Sequence, residues 1–579
     1  MGREGTAERR AGLANRIAVW RAGRVAAATG FVSQPEPRSM GLYARGKQLV
    51  SGNILFAGHL VEAPGALLWD IPAPDAAFAA EAQGFAWLDD LVAVGTPEAR
   101  RIAQSWTRGW IDRFGHGNGP GWSPELTGRR VIRLLHHAIF LLHGQDKPAS
   151  DALLTSLARQ TAFLARRAGA ASPGLPRFEA LTGLLCASLA LIGMEDHVAP
   201  ATSALVRDCT REIDAAGGIP TRNPEELLEV LTLLTWAARA LAEADREIPP
   251  ELGQAIDRIA PCLRTLRHAD GGLARFHGGG GGVDGRLDQA LAASAMLKPP
   301  GHLAQAMGFV RLSAGRTSLI LDAADPPSGA ASATAHASTA AFELTSGRRP
   351  LIVSCGSGLS FGPDWRLAGR ATQSHSALAI SGYSSSRFGT SKQPGALGDS
   401  ARVTALNTWA DTGADSGAEV YVAHDGWSAT HGLTAGRRLS LSTNGRLLTG
   451  TDTLTATTPA EIARFQDLLT RSKLDGIAFT IRFHLHPDVD ATLDMGGTAV
   501  SMQLRSGEIW VLRHDGRAKL SLDPSVYLET GRLRPRPAWA IVLTGRAREN
   551  ETRIGWTLAK AQDTPTGIRD IGREDPVSL

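Results

Sequence analysis

The chain has 579 residues, 43% of them hydrophobic and 20% charged, a balance that excludes a wholly disordered polypeptide and, at roughly 100–200 residues per domain, allows for several domains. Its 64 glycines and 31 prolines follow no triplet repeat, which excludes collagen. Its four scattered cysteines (Cys186, Cys209, Cys262 and Cys355) form neither a disulfide framework nor a metal knuckle. The net charge of +4, carried mostly by arginine, suits a polyanion such as an acidic polysaccharide as well as it suits scattered surface arginines; without a lysine-rich run or a zinc finger, nucleic acid is not an expected partner.

Residues 1–30 are interrupted by Arg9, Arg10, Arg16, Arg21 and Arg24, and they lack the apolar core of a secretory signal. On this ground alone the expectation is either the cytoplasm or a trimmed or misassigned start. No apolar run is long enough to span a bilayer.

From there to about residue 300 the apolar residues recur at helical spacing. "RVIRLLHHAIFLLHG" puts Val131, Leu134, Leu135, Ala138, Leu141 and Leu142 on one stripe, and "DALLTSLARQTAFLARRAG" does the same with Leu153, Leu157 and Leu164. "FEALTGLLCASLALIG" is apolar nearly all round, as a buried helix is. "NPEELLEVLTLLTWAARALAEA" opens with Asn223 as N-cap, Pro224 at the first helical position and acids in the first turn. At least seven helices are expected in series, with no strand between them. The tract "HGGGGGVDG" (277–285) is expected to be a flexible segment near the boundary; it is no phosphate loop, because no strand precedes it and no Lys-Ser/Thr follows.

After residue 308 the pattern becomes that of β-structure: short apolar runs separated by Gly, Asn and Asp. The pair Asn444-Gly445 predicts a tight hairpin, and "LRSGEIWVL" a second one. The expected division is a helical domain over 1–305 and a β-domain over 306–579.

Candidate chemistry gathers in the β half. His336, Arg366, Arg370, His375, His424 and His431 lie in polar loops or strands, while His484 and His486 fall on one face of a strand. Such histidines serve as bases or metal ligands, or simply as hydrogen-bonded or solvated residues. Trp106 and Trp110 share a helix face, as core residues do. Trp122 follows Gly-Asn-Gly-Pro-Gly and is expected in a loop, as a sugar-stacking candidate.

The blocks "AHASTAAFELTSGRRPLIVSCGSG" and "WRLAGRATQSHSALAISG", with "RFEALTGLLCASLALIG" and "GGIPTRNPEELLEVLTLL" before them, resemble the heparinase II/III family of polysaccharide lyases over roughly residues 80–550. The resemblance implies an incomplete (α/α) toroid followed by an antiparallel β-sandwich, with a cleft between them for an acidic, uronate-containing polysaccharide. It implies β-elimination and, by the family's habit, the bacterial envelope or periplasm. It also marks departures. The family's first β-domain histidine aligns with Thr334, its metal-ligating acid with Ser354, its tyrosine near Glu226 and its Asn/His near Leu175–Arg177; His336 and His375 remain.

Two readings therefore stand. In one, a rearranged lyase uses His336, His375, Arg222 and Glu226 for catalysis, and Arg177, Asn223, Arg370, His424 and Trp122 for substrate. In the other, the fold binds glycan or serves envelope assembly without catalysis. Hydrolysis is a further alternative, with carboxylates drawn from Glu225, Glu226 and Glu229, although acids at a helix start more commonly complement its dipole. No cofactor is required; zinc on His336 and His375 would lack its carboxylate, so a zinc site would need His424 or the His484/His486 pair to supply a ligand.

Overall fold

A computed structural model describes residues 4–33, 36–283, 285–292, 301–388, 395–410 and 417–561. The first half is a series of helices packed pairwise. Three of them, Pro124–His136, Leu175–Ala190 and Pro224–Glu243, stack side by side and bury nearly every apolar residue of their stripes. Pro224 opens its helix, and the Asn223 side chain accepts from the backbone N–H of Glu225 and Glu226, as the sequence predicts. One element was not expected: a hairpin of Asn53–Phe56 with His59–Glu62, turned by Ala57-Gly58. It is too short to show an alternating pattern.

The last helix before the sheets, Arg286–Ala292, is followed by strand Leu303–Ala306. Two sheets then pack face to face, and every ladder in them is antiparallel. One runs in the order Lys519–Tyr527, Arg536–Ala547, Ile477–Leu485, Arg349–Val353, Phe342–Ser346, Thr317–Asp322, Phe309–Ala314, Leu303–Ala306, with Leu378–Ile380 paired alongside Ile477–Leu485. The other runs Asp490–Asp494, Ala499–Gln503, Ile509–His514, Glu551–Lys560, Leu447–Thr455, Leu433–Leu441, Ala418–Trp427, Val403–Ala410. Their inner faces share one core, in which Phe342, Phe483 and Trp556 meet. The hairpin at Asn444-Gly445 is present. Gly445 has φ of 68°, and a Cβ there would lie 2.0 Å from the Ala314 carbonyl oxygen. Within the β half, helix Pro459–Arg471 was not anticipated, although Thr458 and Glu461 form its capping box.

The helical core continues into the first sheet through Met307, Phe309, Ile320, Ala341 and Ala377. The seam between the two halves is therefore apolar and closed at these points.

Candidate functional site

His336 follows the short helical turn Gly329–Thr334, and His375 follows Thr372–Ser374. Their rings lie 5.1 Å apart at the seam. A third histidine joins them from the helical half: His277 accepts from the His336 backbone N–H at 3.2 Å and turns Nε2 toward Asp322, 3.4 Å away. Since Nδ1 of His277 accepts, its proton sits on Nε2, facing the carboxylate. Asp322 is fully buried; it accepts from Ser338 at 2.7 Å and pairs with Arg222 at 2.5 Å. The seam thus holds a chain from Arg222 through Asp322 and His277 to His336 and His375.

His277 is not legible from the sequence, because the tract it opens has the composition of a flexible linker. The tract is instead packed. Gly280 donates its N–H to Glu225 at 2.7 Å, and a Cβ on Gly279 would lie 2.4 Å from the Asn223 side-chain oxygen. Glycine serves close backbone approach there, not mobility. Asp284 of the same tract lies outside the described residues.

Burial dominates the electrostatics. His336 and His375 are 1% and 0% exposed. Burial, with neighbouring histidines, holds His336 well below its ordinary range, and burial followed by His484 takes His375 down to about 3. Both rings are therefore neutral near pH 7. Burial alone would raise the Asp322 carboxyl, but Arg222 and His277 outweigh it and hold it ionised.

The other candidate residues are engaged in structure. Arg222 has a left-handed φ of 51° and donates to the carbonyls of Met307, Gly308 and Asp325 as well as to Asp322, so it does not project as a free cation toward a sugar. Arg177 donates twice to Ala171 O and lies 3.5 Å from Asp208; Arg370 donates to Ala335 O and Ser332 O. Asn223 is spent as a cap. Burial pushes the Glu226 carboxyl up. His424 is buried beside Trp427, and burial with Arg437 lowers it to about 4.

Trp122 is not a cleft residue. It is 5% exposed, donates its N–H to Phe114 O, and packs 5.9 Å from Trp110 and 5.3 Å from Phe163. The Gly-rich loop before it delivers the ring inward, into a cluster in which the Arg130 guanidinium lies 4.0 Å over Trp110. His484 and His486 are not on a solvated face either. His484 meets Cys355 and Ser525, and His486 stacks edge-on against Tyr527.

The residues present do not fit a divalent cation. Ser354 stands where the resemblance implies a carboxylate, and its hydroxyl is hydrogen-bonded to His375 Nδ1 at 3.0 Å, leaving a neutral, weakly ligating set. Among the described residues no three His, Cys, Asp or Glu side chains gather in a metal-holding arrangement. No helix among them is long and apolar enough to cross a membrane.

The family described as heparinase II/III-like, C-terminal, matches residues 296–557. FtsZ-localized protein C of Caulobacter vibrioides is 32% identical over 531 residues, covering 90% of this chain and 88% of that protein. Among solved structures, a heparinase III superposes with a TM-score of 0.69 at 13% identity, covering 94% of this chain and 89% of the other. A mutant heparan sulfate lyase from Pedobacter heparinus gives 0.58 at 14%, covering 92% and 85%. At these identities the structural likeness establishes the toroid-plus-sandwich fold.

Proposed function

The chain belongs to the heparinase II/III-like family, and from that membership we propose that it turns the lyase fold to a non-eliminating role, in envelope assembly at the place marked by FtsZ. The observation that carries this reading is the closure of the seam over the two retained histidines, which are 1% and 0% exposed. A base that removes a sugar C5 proton must come within hydrogen-bond reach of it, and a developing enolate needs a donor aimed at it. Here the histidines are covered, and the nearest arginines are spent on backbone carbonyls and Asp322. The printed name of the Caulobacter relative, FtsZ-localized, supports the cellular place.

A second reading, elimination on an acidic polysaccharide, is favoured by one feature. His336 Nδ1 and His375 Nε2 have no hydrogen-bond partner in the seam. It requires the two halves to part, so that a uronate reaches those atoms.

The test of place is a fluorescent fusion expressed in the native cell. The proposal expects a band that coincides with FtsZ and disperses when FtsZ is depleted. A signal indifferent to FtsZ would contradict it.

A further inference from the structure

Next to the His336–His375 pair, one residue beyond Ser354, Cys355 faces His484 and Ser525. The Sγ lies 3.5 Å from His484 Nδ1 and 3.8 Å from Ser525 Oγ, and Ser525 Oγ is 2.8 Å from the same nitrogen. His484 Nε2 lies 2.8 Å from the Gln373 carbonyl oxygen, which can only accept, so Nε2 carries a proton and Nδ1 is left as an acceptor shared by the Ser525 hydroxyl and the thiol. A nucleophile, a base and a group that orients the base are thus in line. The frame is rigid: the Cys355 N–H donates to Ser374 O, its carbonyl accepts from Leu528 N–H, and the His484 N–H donates to Ser376 Oγ.

A second, independent feature points to a ligand. Arg275, 8% exposed, reaches this spot from the helical half. Its Nη2 donates to Leu528 O, its guanidinium lies 4.1 Å over Tyr527, and a Cβ on Gly356, the residue after Cys355, would sit 2.5 Å from Nη2. Its Nη1 is buried without a partner. A buried donor left unpaired costs stability, and an oxygen acceptor bound near Gly356 and Leu528 would satisfy it.

We propose that Cys355, held by His484 and backed by Arg275, is a nucleophilic thiol that small hydroperoxides oxidise. Cys355 and His484 are each 5% exposed, which suits an oxidant of two or three heavy atoms and excludes a polysaccharide. The electrostatics agree. Burial pushes the other three thiols up, to about 11 at Cys186 and about 12 at Cys209 and Cys262. At Cys355 burial also raises the thiol, but the charge and hydrogen bond of His484, with Ser525 and Arg275, more than offset it and hold it below its ordinary value. In the step itself the thiolate attacks one peroxide oxygen. An S–O bond forms and the O–O bond breaks; sulfur is oxidised and the peroxide reduced. The departing hydroxide takes the proton from the His484 imidazolium and leaves as water, with the positive charge of Arg275 nearby to favour the leaving oxygen. The product is a sulfenic acid.

The experiment treats the reduced full-length protein with hydrogen peroxide, traps sulfenic acid with dimedone and quantifies each cysteine peptide by mass spectrometry. Cys355 should gain label about tenfold faster than Cys186, Cys209 or Cys262, and faster than it does itself in the guanidinium-unfolded chain at the same pH. His484→Gln should remove most of that advantage. Labelling of Cys355 no faster in the folded than in the unfolded chain would overturn the proposal, and this comparison needs no variant to fold.

Discussion

At the scale of single residues, the decisive position is Arg222. Its sequence context, before an N-capped helix, offers a cation at a positive helix end; the structure uses that cation to compensate Asp322 inside the seam. Truncating one partner of a buried ion pair leaves the other uncompensated. Arg222→Met should therefore lower unfolding stability by roughly 3–5 kcal/mol in a denaturant titration, and adding Asp322→Asn should restore part of the loss. Stability unchanged by the single substitution would show that the pair is not the support described. His424 gives a second residue-scale test. It is neutral in the fold, with its value lowered by burial from 6.5 to about 4. Above about pH 6.5 neither state is protonated and the contribution is intact; as the pH falls, the unfolded chain takes the proton first, and stability is lost progressively until the folded value is reached. At pH 5 the loss is roughly 2 kcal/mol relative to pH 8. The drop in melting temperature from pH 8 to pH 5 should be smaller in His424→Gln than in the parent chain; equal drops would contradict the assignment.

At the scale of elements, what the sequence made legible followed periodicity and turn chemistry. The helix Pro224–Glu243 announced itself through Asn223 and Pro224, and the hairpin at Asn444-Gly445 through a dipeptide that tolerates positive φ. Gly445→Ala would place a Cβ against the Ala314 carbonyl in a backbone region unfavourable to alanine. It should cost on the order of 1–3 kcal/mol, measured as a fall in melting temperature with the fold retained. Helix Pro459–Arg471 could have been found from Thr458, Pro459 and Glu461, since the capping box is written in the sequence. Other features were not legible. The glycine tract after His277 has the composition of a linker, and only the distances to Asn223, Glu225 and Thr334 reveal that it is packed. Trp122 has loop neighbours on one side, and nothing local says that its ring turns into the aromatic cluster. Arg177 and Arg370 face the same difficulty, because the carbonyls that occupy a guanidinium are set by tertiary structure.

At the scale of the whole molecule, the family's architecture is kept, and His336 and His375 are buried within it. The seam is closed by apolar contacts from Met307, Phe309, Ala341 and Ala377 and by the Arg222–Asp322–His277 chain beneath them. The same closure that buries His336 and His375 gives the two halves a continuous core. The proposed role without elimination is checked by incubating the purified chain with a panel of uronate polysaccharides and following the ultraviolet absorbance of unsaturated uronate. No increase above the protein-free control is expected. A protein-dependent increase that disappears in His336→Ala or His375→Ala would contradict it.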